Sequence, residues 1–457
     1  MQTTDNSEHT ASAGTPLVRG IGLRSATALN MIDMIGVGPF ITIPLIVTVM
    51  GGPQAMLGWV LGAVLAICDG LVWAELGAAL PQAGGSYNYL RQAYGPHQMG
   101  RWLSFLMVWQ IIFSAPLSVA SGSIGFANYL HFLAPQLTTW EIRGVAAAFP
   151  LLLVVLLYRH IGAVGNLSVI LVSGVMFGCL WISISGIPHL SVARLFDFPP
   201  GAFHLNMIFW VGLGHATLYA LYDYFGYYNV CYLAEEIRDP GRVIPRAIMF
   251  SIFTVGVLYI MMTAAFLSVI PWREAIQSHY IASTYIELLF GSTAGKVMAV
   301  LLLWIAFSSV FSLLLGYSRI PYAAAIDGNF FRAFGRLHPK GNFPHVSLIT
   351  LGFVASVFSL GHLSEVIGSL IATRVLIQYL PQTVGFFLLR FRQPDMPRPF
   401  RMWFYPVPGI LSLCGWVYVL GTSAKGSLLF AVAVFSAGTI AYMARAKMRG
   451  EWPFVIE

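Results

Sequence analysis

The chain has 457 residues, of which 57% are hydrophobic and only 9% charged; 25 Lys+Arg against 18 Asp+Glu leave a formal net charge of +7, and the mean hydropathy is +0.75. A soluble domain carries about 25% charged residues, so a soluble protein of this size is excluded and the chain is expected in lipid. The positive balance is not a nucleic-acid footprint, which needs Lys and Arg clustered on one folded face; here they sit in short gaps between long apolar runs, the pattern of membrane topology. Cys68, Cys179, Cys231 and Cys414 lie in or beside apolar stretches without CxxC spacing, so neither a disulfide framework nor a zinc site is indicated.

Residues 1–20 read as a polar, Ser/Thr-rich cytoplasmic tail without a secretory-signal pattern. Crossing a hydrocarbon core of about 30 Å takes about 20 apolar residues. Runs of that kind predict twelve helices, at 25–50, 54–80, 101–131, 143–160, 163–187, 206–235, 246–270, 296–325, 345–361, 365–389, 406–422 and 427–445. None alternates at period two as a barrel strand would. With the N-terminus inside, 19 of the 25 basic residues fall in cytoplasmic segments, 5 fall outside, and Arg374 lies within a span. Because Lys/Arg bias in short loops sets orientation, both termini, including the tail 447–457, are expected in the cytoplasm of a multi-pass plasma (inner) membrane protein.

The first span carries Ile35-Gly36-Val37-Gly38-Pro39-Phe40 at its centre. Glycine is a poor helix former and Pro39 removes a donor and clashes with the preceding turn, so the helix is expected to open here; a simple proline kink is the plainer alternative. Opened backbone at membrane depth must be satisfied by protein, water or a ligand. The sixth span has a second interruption, Gly212-Leu213-Gly214-His215 and then Leu221-Tyr222-Asp223-Tyr224-Phe225-Gly226-Tyr227-Tyr228, which sets an acid among aromatics and a glycine. Interrupted helices in corresponding positions of two halves point to the midplane site of an inverted-repeat transporter. The amides freed at the first break suit an anion, a substrate carboxylate being the natural occupant.

Ionisable residues within spans cost on the order of 2.5–3.5 kcal/mol each on insertion scales and are functional candidates by default. Asp33, Asp69, Asp223 and Arg374 are of this kind, with His215 a further possibility. Asp223 is placed to pair with a substrate ammonium or to take up a coupling proton. Asp33 stands one turn before the first break, Asp69 lies deep in the second span, and Arg374 is positioned to reach an acid on a neighbouring helix as a gate or structural pair. Packing is the plainer role for His215. Glu75, Glu235 and Glu236 fall near helix ends, where Arg91, Arg238 or Arg242 are candidate partners.

Four segments carry a resemblance over nearly the whole chain: Ile35–Phe40; Ala74-Glu75-Leu76-Gly77 with Pro81-Gln82-Ala83-Gly84-Gly85-Ser86-Tyr87 and Tyr94-Gly95; Ala234-Glu235-Glu236-Ile237-Arg238-Asp239-Pro240 with Pro245-Arg246-Ala247; and Ser318-Arg319-Ile320-Pro321-Tyr322 through Asp327-Gly328 and His338-Pro339. The chain resembles the amino acid-polyamine-organocation transporters, of the bacterial amino acid permease type. That resemblance implies an all-α integral membrane fold of the LeuT type, with helices one to five (21–190) and six to ten (200–390) as inverted repeats and two appended helices (400–446). It implies that the backbone of Ile35, Gly36, Val37 and Gly38 binds the substrate carboxylate, that Tyr222, Asp223, Tyr224 and Gly226 line the site, and that Tyr222 closes over the substrate.

Two departures stand out. Many amino acid members carry a lysine in helix five, but none occurs in 166–186. The vacancy would suit sodium, with Ser308 and Ser309 as hydroxyl ligands, although such serines usually bond their own backbone. Gly38-Pro39-Phe40 together with Asp69 is similar to the polyamine-transporting branch. The expected function is therefore secondary active, alternating-access transport of amino acids without a cofactor, the coupling ion being a proton or else sodium. Excess buried acid, three against one base, tilts the expectation toward cationic substrates, with a polyamine transporter as the alternative and a non-transporting receptor or channel further off. The protein is expected as a monomer or homodimer in the bilayer, and the absence of HExxH, GxGD or GxSG arrangements argues against an enzyme.

Overall fold

A computed structural model describes residues 20–82, 84–159, 164–339 and 343–454, with no account of the side chains of 159–173. The expected tail 1–20 apart from Gly20, Ala83 of the first loop, and the last three residues of the tail 447–457 fall outside these ranges. Helices of eight residues or more are α1 (Leu23–Met34), α2 (Gly38–Met50), α3 (Met56–Ala79), α4 (Ser86–Ala93), α5 (Met99–Leu133), α6 (Thr139–Arg159), α7 (Val164–Gly186), α8 (Met207–Tyr224), α9 (Pro240–Val269), α10 (Ile281–Phe290), α11 (Ser292–Tyr317), α12 (Arg319–Ile326), α13 (His345–Phe358), α14 (Leu363–Arg374), α15 (Leu380–Arg392), α16 (Val407–Thr422) and α17 (Lys425–Arg449). No strand occurs among the described residues.

Seven helical stretches are long and apolar enough to cross a membrane: those of α3, α5, α6, α9, α11 with α12, α14 with α15, and α17. The pair α1 and α2, bent by 53° at its junction, makes an eighth. The described parts of the remaining four expected segments, in α7, α8, α13 and α16, are helical but do not meet that test by length and apolarity. Large apolar side chains such as Phe253, Phe353, Leu429 and Ile440 stand exposed, as hydrocarbon-facing residues do and as a water-facing surface of this extent would not.

Two packed groups organise the interior. α3 packs on α8, α9 and α16, while α5 packs on α11, α13 and α14. Small residues let α3 and α8 approach closely: a β-carbon at Gly58 would meet Ala216 at 2.7 Å, and one at Gly62 would meet Ala220 at 3.0 Å. Between α14 and α15 the chain makes a π-helical turn, Val375–Tyr379, with Pro381 following. Such turns re-aim side chains within an otherwise regular helix.

The polar loops tie these groups together. The segment before α1 pairs with the one after the second break, through Ile21 N to Glu236 O at 3.0 Å and Arg238 N to Ile21 O at 2.9 Å. Tyr87 donates to Asp327, and Arg91 meets the same carboxylate at 3.2 Å, so two of the resemblance-bearing segments touch. Glu75 is buried at the end of α3, and its ion pairs among the described residues are with Arg390 and Arg398, not with the expected Arg91, Arg238 or Arg242. It accepts from Arg390 Nε at 2.7 Å and Nη2 at 2.5 Å and from the Met402 amide at 2.7 Å, with Arg398 at 3.4 Å. Its partners come from more than 300 positions downstream, which sequence proximity could not suggest.

Candidate functional site

α1 stops at Met34 and α2 starts at Gly38. Ile35 N still reaches Met31 O at 2.8 Å and Gly36 N reaches Met34 O at 3.2 Å. Among the described residues no backbone carbonyl accepts from Val37 N or Gly38 N, and Pro39 has no amide hydrogen. These unsatisfied donors lie at the positive end of the α2 dipole. α8 runs unbroken through the expected interruption at Gly212-Leu213-Gly214-His215, and the second break lies only in the later stretch, where α8 stops at Tyr224, Phe225 is extended, and Gly226 takes φ 121°, a left-handed backbone that disfavours any side chain.

The two breaks interlock. A β-carbon on Gly38 would stand 2.0 Å from Asp223 Oδ1 and 3.2 Å from the Tyr222 ring, and one on Gly226 would stand 2.8 Å from the backbone of Asp33 and Met34. The Tyr259 hydroxyl, on α9, lies 2.7 Å from Met34 O and 3.2 Å from Asp223 O. Its single hydrogen is shared between the last carbonyl of α1 and the next-to-last carbonyl of α8.

Between the breaks lies a cavity of about 220 Å³. Its wall includes Ile35, Gly36, Val37 and Gly38, then Tyr222, Asp223 and Gly226, and also Asp33, Ser308, Ser309 and Arg374, residues on four separate stretches of the sequence. Asp223 is buried; Oδ2 accepts from Thr42 Oγ1 at 2.5 Å, while Oδ1 has no partner. Tyr222 shares a hydrogen bond with Ser121 at 2.7 Å. Arg374 does not form the expected ion pair with an acid on another helix: it donates to Tyr228 Oη at 3.0 Å and Tyr317 Oη at 2.8 Å. Its guanidinium also lies over the Phe225 ring.

Other expected site residues are placed differently. Tyr224 does not line the cavity: it is fully buried against Trp59 and Tyr259, its hydroxyl 3.4 Å from Trp59 O. Asp69 is also away from the cavity wall. It accepts from Tyr227 Oη at 2.6 Å, Trp416 Nε1 at 3.0 Å and Ser412 Oγ at 3.1 Å, a satisfied acceptor joining the second break to α16. Ser308 donates to its own Trp304 O at 2.7 Å, whereas the Ser309 hydroxyl faces Gly36, 2.8 Å from where a β-carbon would be. His215 lies outside the cavity, near Val49 and Met207. Thr42, Tyr259 and Tyr317 were not anticipated, and Tyr228 only as part of the aromatic run at the second break; Thr42, one turn into α2, carried a local hint in its position.

Chemically, the cavity offers unsatisfied amides, the carboxylates of Asp223 and Asp33 and one guanidinium, which suits a small solute bearing both charges, held between two broken helices of a multi-span membrane protein. The amino acid permease family model matches residues 21–443, and the chain belongs to that family. It is 26% identical over 428 residues to the serine/threonine exchanger SteT of Bacillus subtilis, covering 91% of this chain and 93% of that one. It is 28% identical to the Homo sapiens large neutral amino acids transporter small subunit 2 (89% of this chain, 76% of that one). It is 24% identical to the Mus musculus cationic amino acid transporter 4 (85% and 62%). The chain is thus an amino acid transporter of a membrane-embedded family.

Proposed function

We propose that the protein is a proton-coupled secondary transporter that moves amino acids by alternating access through this cavity. The observation carrying the reading is the meeting of the free Val37 and Gly38 amides with the unpartnered Asp223 Oδ1. The amides receive the α-carboxylate and Asp223 receives the α-ammonium, with Tyr222 closing over the bound molecule. Asp223 and Asp33 are the acids on the wall able to carry a proton; sodium held near Ser309, with Ser308, is the alternative. The twelve-span inverted-repeat architecture, its division at 21–190, 200–390 and 400–446, plasma-membrane placement with cytoplasmic termini, and a monomeric or dimeric state belong to the same proposal.

The cationic preference weighed three buried acids against one base. Asp69 is occupied by three donors away from the cavity, and Arg374 faces the same space as Asp33 and Asp223, so that weight is reduced. A polyamine would leave the free amides and the Arg374 guanidinium without an anion, and the amino acid reading is preferred on that ground.

Thermal-shift measurements with alanine, arginine, glutamate and putrescine test it: stabilisation by any of the amino acids supports the reading, and stabilisation by putrescine alone overturns it. Uptake into proteoliposomes under separate pH and sodium gradients distinguishes the coupling ion. Uptake driven by a sodium gradient alone would replace the proton.

A further inference from the structure

Arg374 differs from the other well-buried arginines. Arg398 and Arg445, with side chains 7% and 5% exposed, each meet a glutamate, Glu75 and Glu451. Arg374, also 5% exposed, forms no ion pair among the described residues. Among the described residues its hydrogen bonds go to two neutral phenols, and Phe225 and Tyr317 place their rings 5.6 Å from its charge. A guanidinium has five donors in a planar fork that matches a carboxylate. A buried charge without an opposite one is costly, the more so within a membrane. This one borders a cavity in which the amino acid head group is already provided for at Gly38 and Asp223.

We infer that Arg374 receives a second anionic group of the substrate, so that the transporter selects amino acids whose side chain ends in a carboxylate. Tyr228 and Tyr317 hold the guanidinium from two elements, the second break and the end of α11, at the cavity wall. Asp33 opens on the same cavity and its charge acts on that of Arg374 at longer range, but the two do not meet as an ion pair. The inference rests on the amino acid reading above and specifies its substrate class.

The test is equilibrium binding of L-glutamate and its neutral isostere L-glutamine to the purified full-length protein in lipid nanodiscs. A charge-assisted pair is expected to favour glutamate by on the order of tenfold or more. That ratio should collapse toward unity in Arg374→Gln and be partly kept in Arg374→Lys. Glutamine binding as tightly as glutamate to the wild type overturns the inference while leaving the amino acid reading in place; this comparison needs no variant to fold. A glutamate preference that persists in Arg374→Gln also overturns it. If Asp33→Asn creates a preference absent from the wild type, Arg374 is answered by Asp33 and the inference fails. If neither these nor other amino acids bind, the amino acid reading falls and takes the inference with it.

Discussion

Asp223 and Gly38 are packed so closely that a β-carbon at Gly38 would lie 2.0 Å from the free carboxylate oxygen of Asp223. The first break is thereby held against the second at the point where unsatisfied amides and an unsatisfied acid meet. Gly38→Ala should displace Asp223 and lower transport by at least about tenfold, while Gly36→Ala should be milder because its obstacle is the Ser309 hydroxyl, which can rotate away. Initial uptake rates of the two variants, normalised to protein in the membrane, check the difference. Equal rates would show that the Gly38 contact is not needed.

Tyr259 reaches one carbonyl at the end of each broken helix, Met34 O and Asp223 O. Tyr259→Phe leaves those carbonyls without their shared donor and should cost about 1–3 kcal/mol of stability. Thermal unfolding in detergent reports it as a lower melting temperature. An unchanged value would mean that water replaces the hydroxyl.

Asp69 collects three donors. In Asp69→Asn the side-chain amide turns a donor toward at least one of them, at a cost of about 1–3 kcal/mol. The midpoint of the transport pH profile should stay where it is, since the residue does not border the cavity. A displaced midpoint would return Asp69 to the coupling mechanism.

Among the described residues Glu75 is the counter-charge in the ion pairs of both Arg390 and Arg398. Removing one partner of a buried pair costs about 3–5 kcal/mol, and the partial exposure of Arg390 puts Glu75→Gln toward the low end. A marked fall in melting temperature is expected, read in the same unfolding assay. Wild-type stability in that variant would contradict the structural role.

The parts legible in the sequence were those with local causes. Gly36, Gly38 and Pro39 mark the first break and Gly226 the second, because helix breaking depends on a residue's own backbone. Apolar run length located every helix that lines the cavity. Orientation around a helix was less legible: Tyr222, Asp223 and Tyr224 are consecutive, and at about 100° per residue a helix continuing to Tyr224 cannot turn all three into one cavity. Partnership across the fold was not legible at all. The donors of Asp69 lie 158, 343 and 347 positions away, and Arg374 meets tyrosines 146 and 57 positions away rather than an acid. Counting buried charges therefore overstated the acidity of the site, because burial does not say which acids are already satisfied.

The central claim is that an amino acid is carried through the cavity by binding at Asp223 and the neighbouring free amides. Counterflow in proteoliposomes tests it most directly: liposomes loaded with unlabelled amino acid are diluted into trace labelled amino acid, with wild type and Asp223→Asn compared. The account predicts transient accumulation of label by the wild type and a loss of on the order of tenfold or more in Asp223→Asn. Binding without any exchange, or undiminished counterflow in Asp223→Asn, would contradict it.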